Sequence, residues 1–375
     1  MRFSSYFVGQ ALGHSYELFF FELARHNKSL IQSIPFRPVQ GTIYLTENCN
    51  SKCITCSLWK QKSQGELTVS EIASIMPQLR RLGVSYLCLS GGEALLRRDL
   101  TQVVSIAREH GFRRIQLITN ALLLTKDKAE DLLNCGLNKV TISLNGIGET
   151  HDVTRGVAGS FERCLEALGH LTELRNQDHN HVDVGINMVV MRPNLDQVLN
   201  VANLCKQLDI ALSLTPIDNR AFYETRDVSS LMIEDQRKLD EVVSELHGLL
   251  RKYPTVINET HTSLEYLRNY FTDRVRRDIP CYLGYLSVFV GAHGDVFSGC
   301  EVLPPLGNIR ERSLVEIVNS KEYRQNLASM FTKKCPGCAC DYGLNLYAHV
   351  PAILEEVLWR LPVKSPRTVI PKKKA

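Results

Sequence analysis

The chain has 375 residues, 44% hydrophobic and 22% charged, with 23 Gly and 14 Pro, a composition that excludes disordered, collagenous and repeat architectures. Lysine and arginine outnumber aspartate and glutamate by 44 to 40, and a net charge of +4 is too mild for the electrostatic footprint of a nucleic-acid binder. At roughly 100–200 residues per domain, the length suits two or three domains, or one large α/β domain with an appendage.

Residues 15–34 read as an amphipathic helix within an N-terminal helical extension, 1–40. Its apolar stretch, 18–23, carries Glu22 and is flanked by Glu17 and Arg25, and no run of about 18 uncharged apolar residues occurs in the chain. The N-terminus lacks the basic, apolar, small-residue order of a secretory signal, so the expected location is cytoplasmic.

From residue 42 onward, short β-branched runs alternate with amphipathic helical patterns, the signature of parallel βα units. Strands are expected at 42–46, 85–89, 114–118, 139–144, 182–190 and 211–215, each followed by a helix. The first of these helices opens on the capping box Thr68-Val-Ser-Glu71, places Ile72, Ile75, Met76, Leu79 and Leu82 on one face, and stops at Gly83. Asp99, Thr125, Ser160 and Asn194 open the next four, with Gly111 and Gly136 closing two of them. Six such units fit an α/β fold, a partial (β/α)6 TIM-like barrel over 41–275, with any active site at the C-terminal ends of the strands. A doubly wound open sheet is the competitor, but the dinucleotide fingerprint G-x-G-x-x-G is absent after the first strand.

Two more helices are expected at 232–252 and 263–274, and the texture changes at Pro280-Cys281. There a small C-terminal α+β domain, 276–345, is expected. It offers a hairpin of 286–290 and 295–298 around Ala292-His293-Gly294, a helix near 313–319, and a Cys-rich end. The final segment, 346–375, reads as a helix over 347–361 and a disordered basic tail. A solvated tail is preferred over contact with an anionic membrane surface.

Twelve cysteines in a reducing compartment point to metal sites or catalytic thiols where they cluster, and to small buried hydrophobes where they stand alone, as at Cys135, Cys164 and Cys205. Cys49-Asn-Ser-Lys-Cys53-Ile-Thr-Cys56 places three thiols directly after the first strand, on the top face of the barrel. Three thiolates can wrap one face of a cubane iron–sulfur cluster and leave one iron open to a small chelating molecule, whereas structural zinc and electron-transfer clusters take four ligands. On this spacing alone, zinc or a four-ligand ferredoxin site stays open as the alternative. A second group, Cys281, Cys300, Cys335, Cys338 and Cys340, holds enough thiols for a four-ligand site with one to spare, and its Cys335-Pro-Gly-Cys338 suits zinc as well as iron–sulfur.

The C-x3-C-x2-C loop after the first strand resembles the cluster motif of the radical S-adenosylmethionine (SAM) enzymes, and the six βα units resemble that superfamily's partial barrel. Ser90-Gly91-Gly92-Glu93, after the second strand, matches the family's Gly-Gly-Glu motif, with Ala94 where a proline is usual. The resemblance implies that the backbone of Gly91 and Gly92 and the carboxylate of Glu93 hold the methionine ammonium of SAM, which suits glycine's close approach and a carboxylate's charge-assisted hydrogen bonds. It further implies polar groups near SAM at Asn120 and Ser143, at the ends of strands three and four, and an arginine, Arg155, on the SAM carboxylate or ribose. His151 stands between a structural and a functional reading.

The text around the second Cys group, with His293-Gly-Asp-Val-Phe-Ser-Gly-Cys300 and Leu306-Gly-Asn-Ile309, resembles a SPASM or shorter Twitch auxiliary-cluster domain. By that resemblance Cys281, Cys300, Cys335 and Cys338 ligate a second 4Fe–4S cluster and Cys340 is a swap ligand or a spare. Together these likenesses imply an enzyme that reductively cleaves SAM to a 5′-deoxyadenosyl radical and abstracts hydrogen from a peptide or small metabolite. Net oxidation or bond formation would be assisted by the auxiliary cluster, with a flavodoxin or ferredoxin as reductant. The substrate is expected between the two clusters, with the C-terminal module facing the barrel across its top. About 40 residues before the first strand are too few for a fused leader-peptide-binding domain. The competing class is a non-catalytic iron–sulfur or zinc protein.

Overall fold

The computed structural model describes residues 15–60, 62–177, 182–218, 229–272, 279–335, 350–351 and 353–354. Its first half holds helix α1 (Ser15–His26), strand β1 (Gln40–Thr46), α2 (Val69–Arg81), β2 (Tyr86–Gly91), α3 (Leu100–Glu109), β3 (Arg114–Thr119), α4 (Lys126–Asn134), β4 (Lys139–Ser143), α5 (Glu149–Arg155) and α6 (Ser160–Asn176). Then come β5 (Asp183–Val190), α7 (Val198–Leu208), β6 (Ala211–Pro216), α8 (Gln236–Lys252), α9 (His261–Tyr270), α10 (Leu283–Leu286), β7 (Ser287–Val290), β8 (Val296–Phe297), α11 (Leu314–Val318) and α12 (Lys321–Phe331).

Strands β1 to β6 run parallel in chain order, the partial barrel expected from the alternating pattern. Their inward and outward faces follow the two-residue period of a strand. Gly41 lies against Leu79 of α2 and Val84, and Leu87, Ile115, Leu117, Val140 and Ile142 join the main core. The alternate residues therefore face the concave side. Helix α2 begins where the capping box places it, with Thr68 Oγ1 accepting from Glu71 N and the Glu71 carboxylate accepting from Thr68 N. Two expected caps act differently. Asp99 turns to Arg97 in a bidentate ion pair and leaves α3 without a side-chain cap, and Asn194 braces the chain ahead of α7, which starts at Val198. The helices expected at 232–252 and 263–274 are shorter, at Gln236–Lys252 and His261–Tyr270.

The C-terminal module departs most from expectation. Strand β7 pairs in parallel with β1, from Gln40↔Ser287 to Ile43↔Val290, and β8 returns antiparallel, so one eight-stranded sheet runs β6-β5-β4-β3-β2-β1-β7-β8. The physical reason is the edge of β1, whose open N–H and C=O groups need partners, and β7 is a fully buried run that needs the same. Among the described residues, the module's body does not sit across the barrel top. Its hairpin turn reaches the top, where His293 Nε2 lies 2.9 Å from Ser63 Oγ. Cys281 and Cys300 lie at the other end, packed with Leu283 and Met330 beside the start of β7. Seven residues of β1 separate the two ends, about 20 Å.

Among the described residues no helix is long and apolar enough to cross a membrane. Most of the helix expected at 347–361, and all of the basic tail, fall outside the described residues.

Candidate active site

The loop that leaves β1 is held from three sides. Glu66 Oε1 accepts from Thr46 Oγ1 and Glu47 N, both at 2.8 Å, and from Asn48 Nδ2 at 3.2 Å. Arg97 Nη1 donates to the carbonyls of Leu45 and Leu67. From the end of α5, the carbonyls of Arg155 and Thr154 accept from Lys52 N and Ile54 N. Such bracing fixes an irregular loop whose backbone groups have no ladder to join.

The braced loop closes over a cavity of about 200 Å3 lined by Cys49, Cys53, Cys56, Ser90, Gly91, Gly92, Asn120, Ser143 and Arg155. The expected site residues from four strand ends and α5 thus meet in one place, with the exception of Glu93. Thr119, beside Asn120 at the end of β3, lines it too, as do Ser51, Thr55, Trp59 and Ile118, which no motif had singled out. Trp59 is the one with a signal, an aromatic three residues past Cys56, whose Nε1 donates to the Cys56 carbonyl at 2.8 Å.

The cavity sets one buried cation beside three thiols. Arg155 Nη1 donates to Cys53 Sγ at 3.4 Å and Nη2 to the Ser143 carbonyl at 2.6 Å, while its Nε is buried without a hydrogen-bond partner. Burial pushes the Cys49 and Cys56 thiols up to about 11, so a metal bound there would have to displace their protons. Among the described residues no three His, Cys, Asp or Glu side chains converge on a single metal ion. A cubane takes each thiolate on a different iron, so its ligands stand apart around it. Three thiols and an unused buried donor in one cavity fit a three-thiolate cluster with a polar ligand beside it.

Glu93 is anchored by the protein's own donors. It is 1% exposed and does not line the cavity; its carboxylate accepts from Leu95 N, Thr119 Oγ1 and Asn120 N at 2.7–3.0 Å, tying the β2 turn to the end of β3. Burial holds this carboxyl above the usual carboxylate range. The glycines also serve the loop. A Cβ on Gly91 would stand 2.2 Å from the Thr46 carbonyl oxygen, and one on Gly92 2.3 Å from that of Asn48. Glycine is required there because two backbones meet. Asn120 Nδ2 donates to Asn50 Oδ1 and Ser51 Oγ, a further tie to the Cys loop. His151 is structural: buried, it accepts from Asn145 N at 3.0 Å, and burial drops its pKa to about 3.

In the second Cys group, Cys281 and Cys300 share one small apolar cluster with Met330 in the last turn of α12, and Cys335 follows five residues later. Cys338 and Cys340 lie outside the described residues.

Comparison with known proteins agrees with this geometry. Residues 43–205 match the radical SAM superfamily and residues 281–341 match the SPASM iron–sulfur cluster-binding domain. The chain is 28% identical over 327 residues to an AdoMet-dependent heme synthase of Methanosarcina barkeri, covering 80% of this chain and 87% of that one. It is also 28% identical over 211 residues to an Fe-coproporphyrin III synthase of the same organism, there covering 52% of this chain and spanning about half, 51%, of the relative. The crystal structure of Streptococcus suis SuiB bound to precursor peptide SuiA shares the fold at TM-score 0.63 and 18% identity, over 85% of this chain and 74% of that one. The chain belongs to the radical SAM superfamily and carries a C-terminal SPASM domain, which brings with it a SAM-binding 4Fe–4S cluster, SAM and an auxiliary iron–sulfur cluster.

Proposed function

We propose that this protein reductively cleaves SAM at Cys49, Cys53 and Cys56 and abstracts hydrogen from a peptide or small-metabolite substrate. The observation that carries the reading is the single cavity in which those three thiols meet Gly91, Gly92, Asn120, Ser143 and Arg155. When bound, the cluster and SAM supply the electron and the hydrogen-abstracting group. The chain's own residues do the rest. Arg155 places a fixed cation beside Cys53 and keeps Nε as a donor for a carboxylate or ribose oxygen. Asn120 and Ser143 offer polar edges, and the Glu93 bracket holds the Gly91-Gly92 backbone against the loop.

Cys281, Cys300, Cys335 and Cys338 hold the auxiliary cluster in this reading, with Cys340 as a spare. The two Cys groups mark opposite ends of the barrel, so the substrate lies in the lumen between them, where exclusion of water protects a reactive species. An electron acceptor at that far end favours net oxidation or bond formation. A flavodoxin or ferredoxin in the cytoplasm would supply the electron, and the heme synthases and the peptide-bound SuiB keep both substrate classes in view.

Anaerobically reconstituted protein is expected to hold about 8 iron per chain. Changing Cys49, Cys53 and Cys56 together to Ala should remove about half of it and all formation of 5′-deoxyadenosine under reducing conditions. SAM cleavage by the triple variant would overturn the assignment.

A further inference from the structure

The concave face of the barrel carries polar side chains that SAM cleavage leaves unused. Below the cavity-lining Ser90, Ile118 and Ser143, the same strand faces carry Tyr86, Gln116 and Arg114, and Thr141 and Lys139. Four residues along a strand put the layer of Tyr86 and Lys139 about 13 Å beneath the cavity. It lies toward the end of the barrel that holds Cys281 and Cys300.

These side chains are knit across three strands. Tyr86 Oη donates to Gln116 Oε1, and Gln116 Nε2 donates to Thr141 Oγ1 at 2.7 Å. Lys139 Nζ donates to Tyr86 Oη at 3.3 Å and faces the Tyr86 ring at 5.6 Å. The charges do not balance. Asp183 stands opposite Lys139 in the sheet register, yet its carboxylate pairs with Arg114. Lys139 is left with one hydrogen-bond partner for three donors and no carboxylate within ion-pair distance among the described residues. Burial, and then the charge of Arg114, push its ammonium down to about 8. Side-chain exposures of 30% for Arg114 and 42% for Asp183 leave the layer open to a solute.

A largely buried cation whose nearest carboxylate, Asp183, is engaged by Arg114 is costly, and a ligand that brings a carboxylate into contact lowers the cost. We propose that Lys139, held over the lumen by the chain Tyr86, Gln116 and Thr141, seats a carboxylate of the substrate. One spare cation with two free N–H donors matches a single carboxylate group, such as one end of a dicarboxylate, better than a phosphate, which concentrates up to two charges on one group and asks for more positive charge. The inference rests on the radical SAM reading for the word substrate, while the anion seat itself stands on the lumen alone.

The test is calorimetric titration of reconstituted, SAM-loaded protein with glutarate and, separately, with inorganic phosphate near neutral pH. Glutarate should bind and phosphate should not compete with it. Lys139→Met should weaken glutarate binding about tenfold or more, as expected for a lost charged hydrogen bond, and Tyr86→Phe should weaken it severalfold. Exposed Lys128→Met serves as the control and should leave both glutarate binding and SAM cleavage unchanged. Because Lys139→Met removes an unpaired cation, its melting temperature should not fall. Equal glutarate affinity in wild type and Lys139→Met, no glutarate binding by wild type, preference for phosphate, or a sharp loss of stability in Lys139→Met would each overturn the seat. Absence of SAM cleavage in wild type would instead overturn the proposed function and leave the Lys139 result standing.

Discussion

Glu93 shows how a motif residue can brace the chain that forms a site. Its carboxylate takes three donors from the β2 turn and the end of β3, in a place where water cannot replace it. Glu93→Ala would leave Leu95 N, Asn120 N and Thr119 Oγ1 unsatisfied, at roughly 1–3 kcal/mol for each buried group left without a partner. The expected outcome is a lower melting temperature in the metal-free protein, together with poor retention of the cluster, and a milder loss in Glu93→Gln, which keeps one acceptor oxygen. Thermal melts of metal-free protein check this. An unchanged melt with only SAM affinity reduced would return the carboxylate to the ligand. The Gly-Gly-Glu string was legible because its residue types are rare in combination at a strand end. Which way those side chains turn was not legible, since the Thr46 and Asn48 carbonyls that crowd Gly91 and Gly92 come from the end of β1 and the loop after it.

Elements were readable to the extent that their cause is local. The six barrel strands are short, largely apolar runs bounded by turns, rich in β-branched residues in β1, β3, β4 and β5, and α2 announces itself with a capping box; all fall within a few residues of expectation. Helices α5, α10 and α12 were missed: α5 and α10 are seven and four residues long, too short for a clear period, and α12 buries Tyr323, Leu327 and Phe331 against partners distant in sequence. The open edge of β6 was equally invisible. Residues 256–258 bridge to it at Leu212, and beyond them a side chain takes over, as Glu259 Oε1 accepts from Leu214 N at 2.8 Å and Oε2 from Ser263 Oγ at 2.6 Å. Burial raises this carboxyl from 4.5 to about 7. The folded state therefore holds the proton more tightly than the unfolded one, so the stabilisation is complete below about pH 4.5 and is lost as pH rises through about 7. Melting temperature should decline from about pH 5 to pH 8 in wild type and decline less in Glu259→Gln, which cannot ionise. Parallel curves for the two proteins would assign the slope to other groups.

At the scale of the whole molecule, a change of texture in the sequence does not interrupt the sheet. Pro280-Cys281 marks where the pattern changes, but β7 then hydrogen-bonds to β1, so the barrel and the cysteine-bearing hairpin share one sheet. The N-terminal extension belongs to the same body. Phe21 of α1 packs its ring 4.7 Å from Tyr282, 5.7 Å from Tyr285 and 6.5 Å from Phe331, and Tyr285 Oη donates to the Ile31 carbonyl. Residues some 260 positions apart thus form one aromatic cluster beside Cys281, a long-range contact that no local pattern could announce. Phe21→Ala removes the ring at its centre and should cost about 3–5 kcal/mol, the usual range for emptying a buried phenylalanine site. If α1, the hairpin module and the barrel unfold as a unit, calorimetry of the metal-free variant should show one transition shifted to lower temperature. Hydrogen exchange should then speed up together in β7 and in β1. Two resolved transitions, with the barrel's melt unmoved, would show that the shared sheet does not bind the parts into one cooperative body, and that the sequence texture had marked a true domain boundary after all.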